Sequence, residues 1–199
     1  MRISDTRRSR IRSSSMYEVR RAIPPSCGPL LEGEYMRLRA TTPADLAFVR
    51  TVESAPENAE YVEQWPLEAH RRCLEAPDCG HWILESGAEH RAVGYAILQG
   101  LERPDGRVLL RRIAIAGKGR GFGRAAVRAL ARYAFERRGA ACLWLSVLPA
   151  NRRALRLYHS LGFVDEEPEA DGEPGQARVL RLDRAAYERG GHQPPTGEA

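Results

Sequence analysis

A chain of 199 residues with 43% hydrophobic content can bury the core of one domain. It contains no run of 18 or more apolar residues, which excludes a helical membrane span from the expected architecture. The net charge of +5 lies entirely in residues 1–28, where seven arginines face Asp5 and Glu18; the other 171 residues balance 24 bases against 24 acids, so no membrane or nucleic-acid partner is expected of the domain itself.

Residues 1–28 are rich in Arg and Ser and lack periodicity, so a disordered tail is expected there. The same composition fits a transit peptide or a nucleic-acid-binding arm, and Met16 offers a later start, the reading preferred over any function for the tail. The domain is expected over residues 29–188, with 189–199 a second loose end. Residues 35–40 read as a first strand. Thr42 before Pro43 is an N-cap with proline at the first helical position, opening a helix to about Ser54. Pro66 opens a second helix that closes before Pro77. Residues 81–86 and 92–101 form a hairpin across a polar turn, and Pro104-Asp105-Gly106 turns the chain into a strand over 108–116. A helix follows at 124–138, ended by Gly139, then a buried strand at 141–148 stopped by Pro149. Asn151 caps a helix running to Leu161, with Gly162 as its C-cap. Residues 163–165 and 177–182 pair as a last hairpin across an acidic Gly/Pro loop.

Between the third of these strands and the following helix stands Lys118-Gly-Arg-Gly-Phe-Gly123. Glycines let backbone come close to a ligand, and a helix start offers unpaired N–H groups with partial positive charge. The combination suits phosphate. It is not a dinucleotide fingerprint, because Arg124 stands where the third glycine is needed, and no Walker loop is present. A ligand-free glycine turn is the alternative for this motif alone. Lys118 is the single lysine beside thirty arginines, and its position in the loop favours an ammonium facing phosphate over coding bias.

A second motif, Asn151-x-x-Ala154-x-x-Leu157-Tyr158-x-x-x-Gly162-Phe163, follows. Together the two resemble the GNAT superfamily of CoA-dependent N-acetyltransferases, and within it the ribosomal-protein-alanine acetyltransferase type. The resemblance spans about residues 34–183 and is sharp over 108–163. It implies an α/β (α+β) fold, with a mostly antiparallel mixed sheet of six to seven strands flanked by about four helices. It implies that Lys118, Gly119, Arg120, Gly121, Phe122 and Gly123 hold the pyrophosphate of acetyl-CoA. Backbone of Ile113, Ala114 and Ile115 would meet the pantetheine arm where strands 108–116 and 141–148 splay, one N–H facing the thioester oxygen. Asn151 would bond the same arm or simply cap its helix. Tyr158 would act at the departing sulfur; on its helix alone it reads as a core aromatic. A phenol is less acidic than a thiol, so Tyr158 is expected to donate a strong hydrogen bond to developing thiolate charge.

The resemblance is incomplete. Lys118 replaces the family's usual Arg or Gln, and the strand before the loop reads Val-Leu-Leu-Arg-Arg-Ile-Ala-Ile with no acid, which leaves the general base unassigned. Glu53, Glu57, Glu60 and Glu63 form an acidic run in the region that borders the family's acceptor pocket. It reads either as a solvated face or as a lure for a cationic amine, with Trp65 and His81 shaping the pocket. The four cysteines, Cys27, Cys73, Cys79 and Cys142, show no C-x-x-C pairing and read as reduced thiols of a cytoplasmic protein. The histidines form no metal pattern, so no metal is expected. The expected activity is acetyl transfer from acetyl-CoA to a peptide N-terminus or a small cationic amine by direct attack, in a possible homodimer. The competing reading is a non-catalytic acyl-CoA sensor whose basic tail contacts nucleic acid.

Overall fold

The computed structural model describes residues 36–87, 89–166 and 177–190. Both tails and the acidic Gly/Pro loop lie outside these residues, apart from Arg189 and Gly190. Seven strands form one sheet in the order β1-β2-β3-β4-β5-β7-β6. They are β1 (Met36–Ala40), β2 (Cys79–Ser86), β3 (Arg91–Gln99), β4 (Arg107–Ile115), β5 (Cys142–Val147), β6 (Val164–Asp165) and β7 (Arg178–Asp183). All neighbours are antiparallel except β4 and β5. Among the described residues six helices accompany them: α1 (Leu46–Ser54), α2 (Pro56–Ala59), α3 (Leu67–Glu75), α4 (Phe122–Arg132), α5 (Arg152–His159) and α6 (Arg184–Arg189).

The mixed, mostly antiparallel architecture is the expected one, with two helices more. The short α2 starts on Pro56, and α6 follows directly from β7; neither has a long apolar stripe to announce it. Asp45 accepts hydrogen bonds at 2.7 Å from the Thr42 N–H and hydroxyl, so the chain enters α1 through a single 3-10 turn, Pro43–Asp45. The helix expected to run to Arg138 instead changes to a π-helical turn over Tyr133–Arg137.

Two apolar clusters lie on opposite faces of the sheet. One packs Val108, Leu110, Leu143, Leu145 and Leu180 under Ala126, Val127 and Leu130 of α4. The other joins Leu46, Val49 and Val52 of α1 to Ile83, Tyr95, Ile97 and Ala114. Strand β4 contributes to both because its register with β3 slips once, pairing Ile97 with Arg112 but Leu98 with Leu110. The extra residue, Arg111, reverses which parity faces which side. Val108 and Leu110 therefore look toward α4, whereas Arg112 and Ala114 look toward α1.

The cysteine expectation is corrected. Cys73 and Cys79 form a disulfide, with Cα atoms 5.5 Å apart. The chain leaves α3, turns at Pro77 and starts β2 beside the helix's last turn, a proximity that the six-residue spacing does not reveal. Cys142 is a buried free thiol, and Cys27 lies outside the described residues. No helix among the described residues is long and apolar enough to cross a membrane.

Candidate active site

The register slip in β4 stands next to a second irregularity. Pairing of β4 with β5 covers only Arg107–Leu109 against Cys142–Trp144. Beyond Leu109 the two parallel strands part, and a cleft of about 450 Å³ opens between them. Ile113 and Ile115 line one wall, and Ser146, Val147 and Leu148 the other. The parting leaves backbone groups without a ladder partner, which suits an extended ligand arm. Ile115 has already committed its carbonyl to the Asn58 side-chain amide at 3.2 Å. The Ala114 side chain packs into the α1 cluster, so only its backbone faces the ligand question.

At one end of the cleft the glycine loop joins α4. Gly119 and Gly121 have φ of +94° and +82°, a region that L side chains rarely adopt. A Cβ added at Gly119 would meet nothing within 4 Å, so the space beside it is open to a ligand. Gly121 caps α4 without any side-chain bond, leaving the helix's first N–H groups for an anion. Arg120, Arg124 and Arg153 also line this end. The Arg120 guanidinium rests 4.9 Å from the Phe122 ring centre, and Arg124 donates to the Ser160 hydroxyl at 2.8 Å. The donor set of backbone N–H groups and guanidiniums fits the phosphates of CoA. Lys118 lines the same end. Its ammonium donates to the backbone carbonyl of Glu57, while burial first and the nearby Arg153 charge second lower its pKa. It ties the loop to α2.

In the middle of the cleft stands Tyr158. It is buried at 6% exposure, tilts against Phe163 with ring centres 5.5 Å apart, and lines the cleft. Burial alone raises its pKa, and among the described residues its hydroxyl has no hydrogen-bond partner. An aromatic placed only for packing carries no such open hydroxyl. Asn151 accepts from the Ala154 N–H at 3.1 Å, so the capping role is realised, and the residue also lines the cleft.

The other end is an ionic assembly that no local pattern foretold. Arg112, with 2% of its side chain exposed, stacks 4.2 Å from the Trp65 ring centre. Its guanidinium lies 3.9 Å from Glu53 Oε1. Glu53 is buried beneath it and accepts from the Tyr95 hydroxyl and from His70 Nε2, at 3.3 Å. His70 Nδ1 then meets His81 Nε2 at 3.1 Å, and His81 Nδ1 meets the Thr41 hydroxyl at 2.9 Å. Burial would raise the Glu53 pKa, but His70, Tyr95 and Arg112 outweigh it and hold the carboxyl below its usual range. His81 is pushed down to about 3, by burial first and His70 second. It is a satisfied structural histidine that lines a separate cavity of about 930 Å³, not the acceptor end.

Toward the cleft, Arg112 donates from Nη1 to the Glu63 carbonyl and from Nη2 to Glu63 Oε2 at 2.9 Å, and Arg111 Nη2 donates to the same oxygen at 2.9 Å. The acidic run is thus divided: Glu53 is core, Glu57 and Glu60 are exposed, and Glu63 is the one carboxylate lining the cleft among the described residues. Arg112 was detectable in principle, since two adjacent arginines inside an apolar strand require one to face inward. Among the described residues, no group of three or more His, Cys, Asp or Glu is arranged to hold a metal ion.

A family model described as the acetyltransferase (GNAT) family matches residues 46–163. No curated protein sequence matches the chain. Among solved structures, the spermidine N-acetyltransferase from Vibrio cholerae in complex with CoA and spermine is 21% identical; the match covers 77% of this chain and 98% of that one at a TM-score of 0.66. A chimera of that enzyme reaches 0.65 at 20% identity, with 77% and 98% covered. Its dodecameric form in an intermediate state reaches 0.61 at 21% identity, with 76% and 95% covered.

Proposed function

We propose, from the premise that the chain belongs to the acetyltransferase (GNAT) family, a role for each part of the cleft in acetyl transfer to a small cationic amine. As a family member the protein is an N-acetyltransferase with acetyl-CoA as acyl donor. The glycine loop and the start of α4 bind the donor's phosphates through backbone N–H groups, with Arg120, Arg124 and Arg153 supplying charge. Backbone of Ile113, Ala114 and Ile115 receives the pantetheine arm in the parting of β4 and β5, beside Asn151. A neutral amine attacks the thioester carbonyl; the C–N bond forms and the C–S electron pair leaves on sulfur. Tyr158 donates a hydrogen bond to that sulfur as charge develops.

The observation that carries this reading is the open Tyr158 hydroxyl inside the wedge where β4 leaves β5. The acceptor class is supported by Glu63, the carboxylate lining the cleft among the described residues, and by the polyamine acetyltransferases among the structural neighbours. Self-association belongs to the same proposal, supported by the dodecameric V. cholerae enzyme. The deciding experiment measures thiol release from acetyl-CoA against polyamines, aminoglycosides, free amino acids and peptides with Ala or Ser N-termini. Release with polyamines is the expected outcome. Release with peptides alone would return the acceptor to the protein-N-terminus class. Donor binding without release for any amine would overturn the reading.

A further inference from the structure

We propose that Glu63 is the catalytic carboxylate of the acceptor end, taking on Oε1 the proton that the amine must lose. The assignment rests on the acetyl-transfer reading above.

Each transfer to an alkyl ammonium releases one proton. An amine with the basicity of lysine is the free base in about one molecule in 2,500 at pH 7. The strand before the glycine loop holds no acid to accept that proton. Glu63 stands over that strand instead. Both arginine hydrogen bonds fall on its Oε2, and Oε1 makes none with the described residues. The loop that carries it is fixed on both sides. Gln64 donates to the carbonyls of Glu53 at 2.9 Å and Val62 at 3.0 Å, and Arg112 holds the Glu63 carbonyl. Arg112 is itself immobilised by Trp65 and the buried Glu53.

A surface ion pair between two mobile side chains lacks these constraints. Here one partner is 2% exposed while the Glu63 side chain is 64% exposed. The carboxylate is anchored at one oxygen, lines the cleft, and is in reach of water. The cycle balances: Oε1 accepts a proton from the ammonium, the amine attacks, and Oε1 returns the proton to solvent. Glu53 is a positioning residue in this account, acting through Arg112.

The test compares two acceptors that differ in basicity: butylamine, which must be deprotonated, and heptafluorobutylamine, whose fluorines leave the nitrogen uncharged at neutral pH. Initial rates are measured at saturating acetyl-CoA for wild type, Glu63→Gln and Glu63→Asp. Glu63→Gln is expected to lower kcat/KM for butylamine roughly a hundredfold and for the fluorinated amine by less than about threefold, with Glu63→Asp recovering part of the loss. Equal losses on both amines, or no loss on either, would overturn the assignment while leaving acetyl transfer intact. Wild-type protein that releases no thiol with these or with any amine of the wider panel would overturn the acetyl-transfer reading itself.

Discussion

The two ends of the cleft are built by opposite means. The donor end is made of backbone: one turn, two glycines with positive φ, and a helix start whose N–H groups need no side chain to orient them. The acceptor end is made of side chains: Arg112 of β4 meets Trp65 and Glu63 of the loop before α3, and beneath it Glu53 of α1 joins Tyr95 of β3 and, through His70 of α3, His81 of β2. The first construction depends on local conformation, so it tolerates change elsewhere. The second depends on the whole sheet being in register. It concentrates buried charge, so its integrity and the stability of the fold are one quantity.

The largest expected effect tests that last statement. Arg112→Met leaves Glu53 buried without its cation and is expected to cost about 3–5 kcal/mol of folding stability in denaturant titration. Adding Glu53→Gln should recover a substantial part, because the stranded charge is then gone. A loss below about 1 kcal/mol would show that the acceptor end is not integral to the fold.

Acid probes the buried network behind that end. His81 stays neutral in the folded chain, its pKa pushed down to about 3, whereas unfolded it titrates near 6.5. Below pH 6.5 the unfolded chain binds a proton that the folded chain refuses. Stability should therefore fall as pH falls, by about 1.4 kcal/mol per unit between roughly 6.5 and 3, which is about 3 kcal/mol from pH 7 to 4.5. Glu53, with its lowered pKa, adds to the fall once pH drops below about 4.3, where the unfolded carboxyl takes up a proton that the folded one still refuses. Denaturation midpoints across that range should show the slope, and His81→Gln should flatten it.

Tyr158→Phe addresses the middle of the cleft. Because the hydroxyl has no partner among the described residues, stability should change by less than about 0.5 kcal/mol while turnover falls about a hundredfold. Unchanged turnover with a good acceptor would remove Tyr158 from the chemistry. The smallest effect is at the donor end. Asn151→Ala removes one cap and should cost about 1 kcal/mol of stability. A rise in the acetyl-CoA KM beyond what the control Ala154→Gly produces would add the ligand contact to the cap.

The same contrast explains what was legible in the sequence. The glycine turn, the Asn151 cap and Tyr158 fall within two short motifs, because backbone conformation and helix spacing are local properties. The parting of β4 from β5 entered through the family resemblance, and the residues to either side of it are where it opens. The acceptor end was readable only in part: the acidic run and Trp65 pointed to it, but the network that holds them did not show. Glu53 looked like a member of a solvated run, yet it is 1% exposed. His70 and Tyr95 carried no signal at all, since only antiparallel register and the packing of α3 bring them to Glu53. Lys118 lies in the loop and lines the cleft, and its flexible stem also reaches the Glu57 carbonyl, a contact its position could not show. The disulfide was missed because the spacing between cysteines does not record that a helix and the next strand lie side by side.

That disulfide has a consequence for what stability means here. It closes a ring of only a few residues, and in the chain-entropy view such a ring removes about 2 kcal/mol of conformational freedom from the unfolded chain. It does so between α3 and β2, the two elements that bring His70 and His81 together. The protein therefore has two free energies of unfolding, one for each oxidation state of the pair, and thiol-containing surroundings choose between them without touching the cleft.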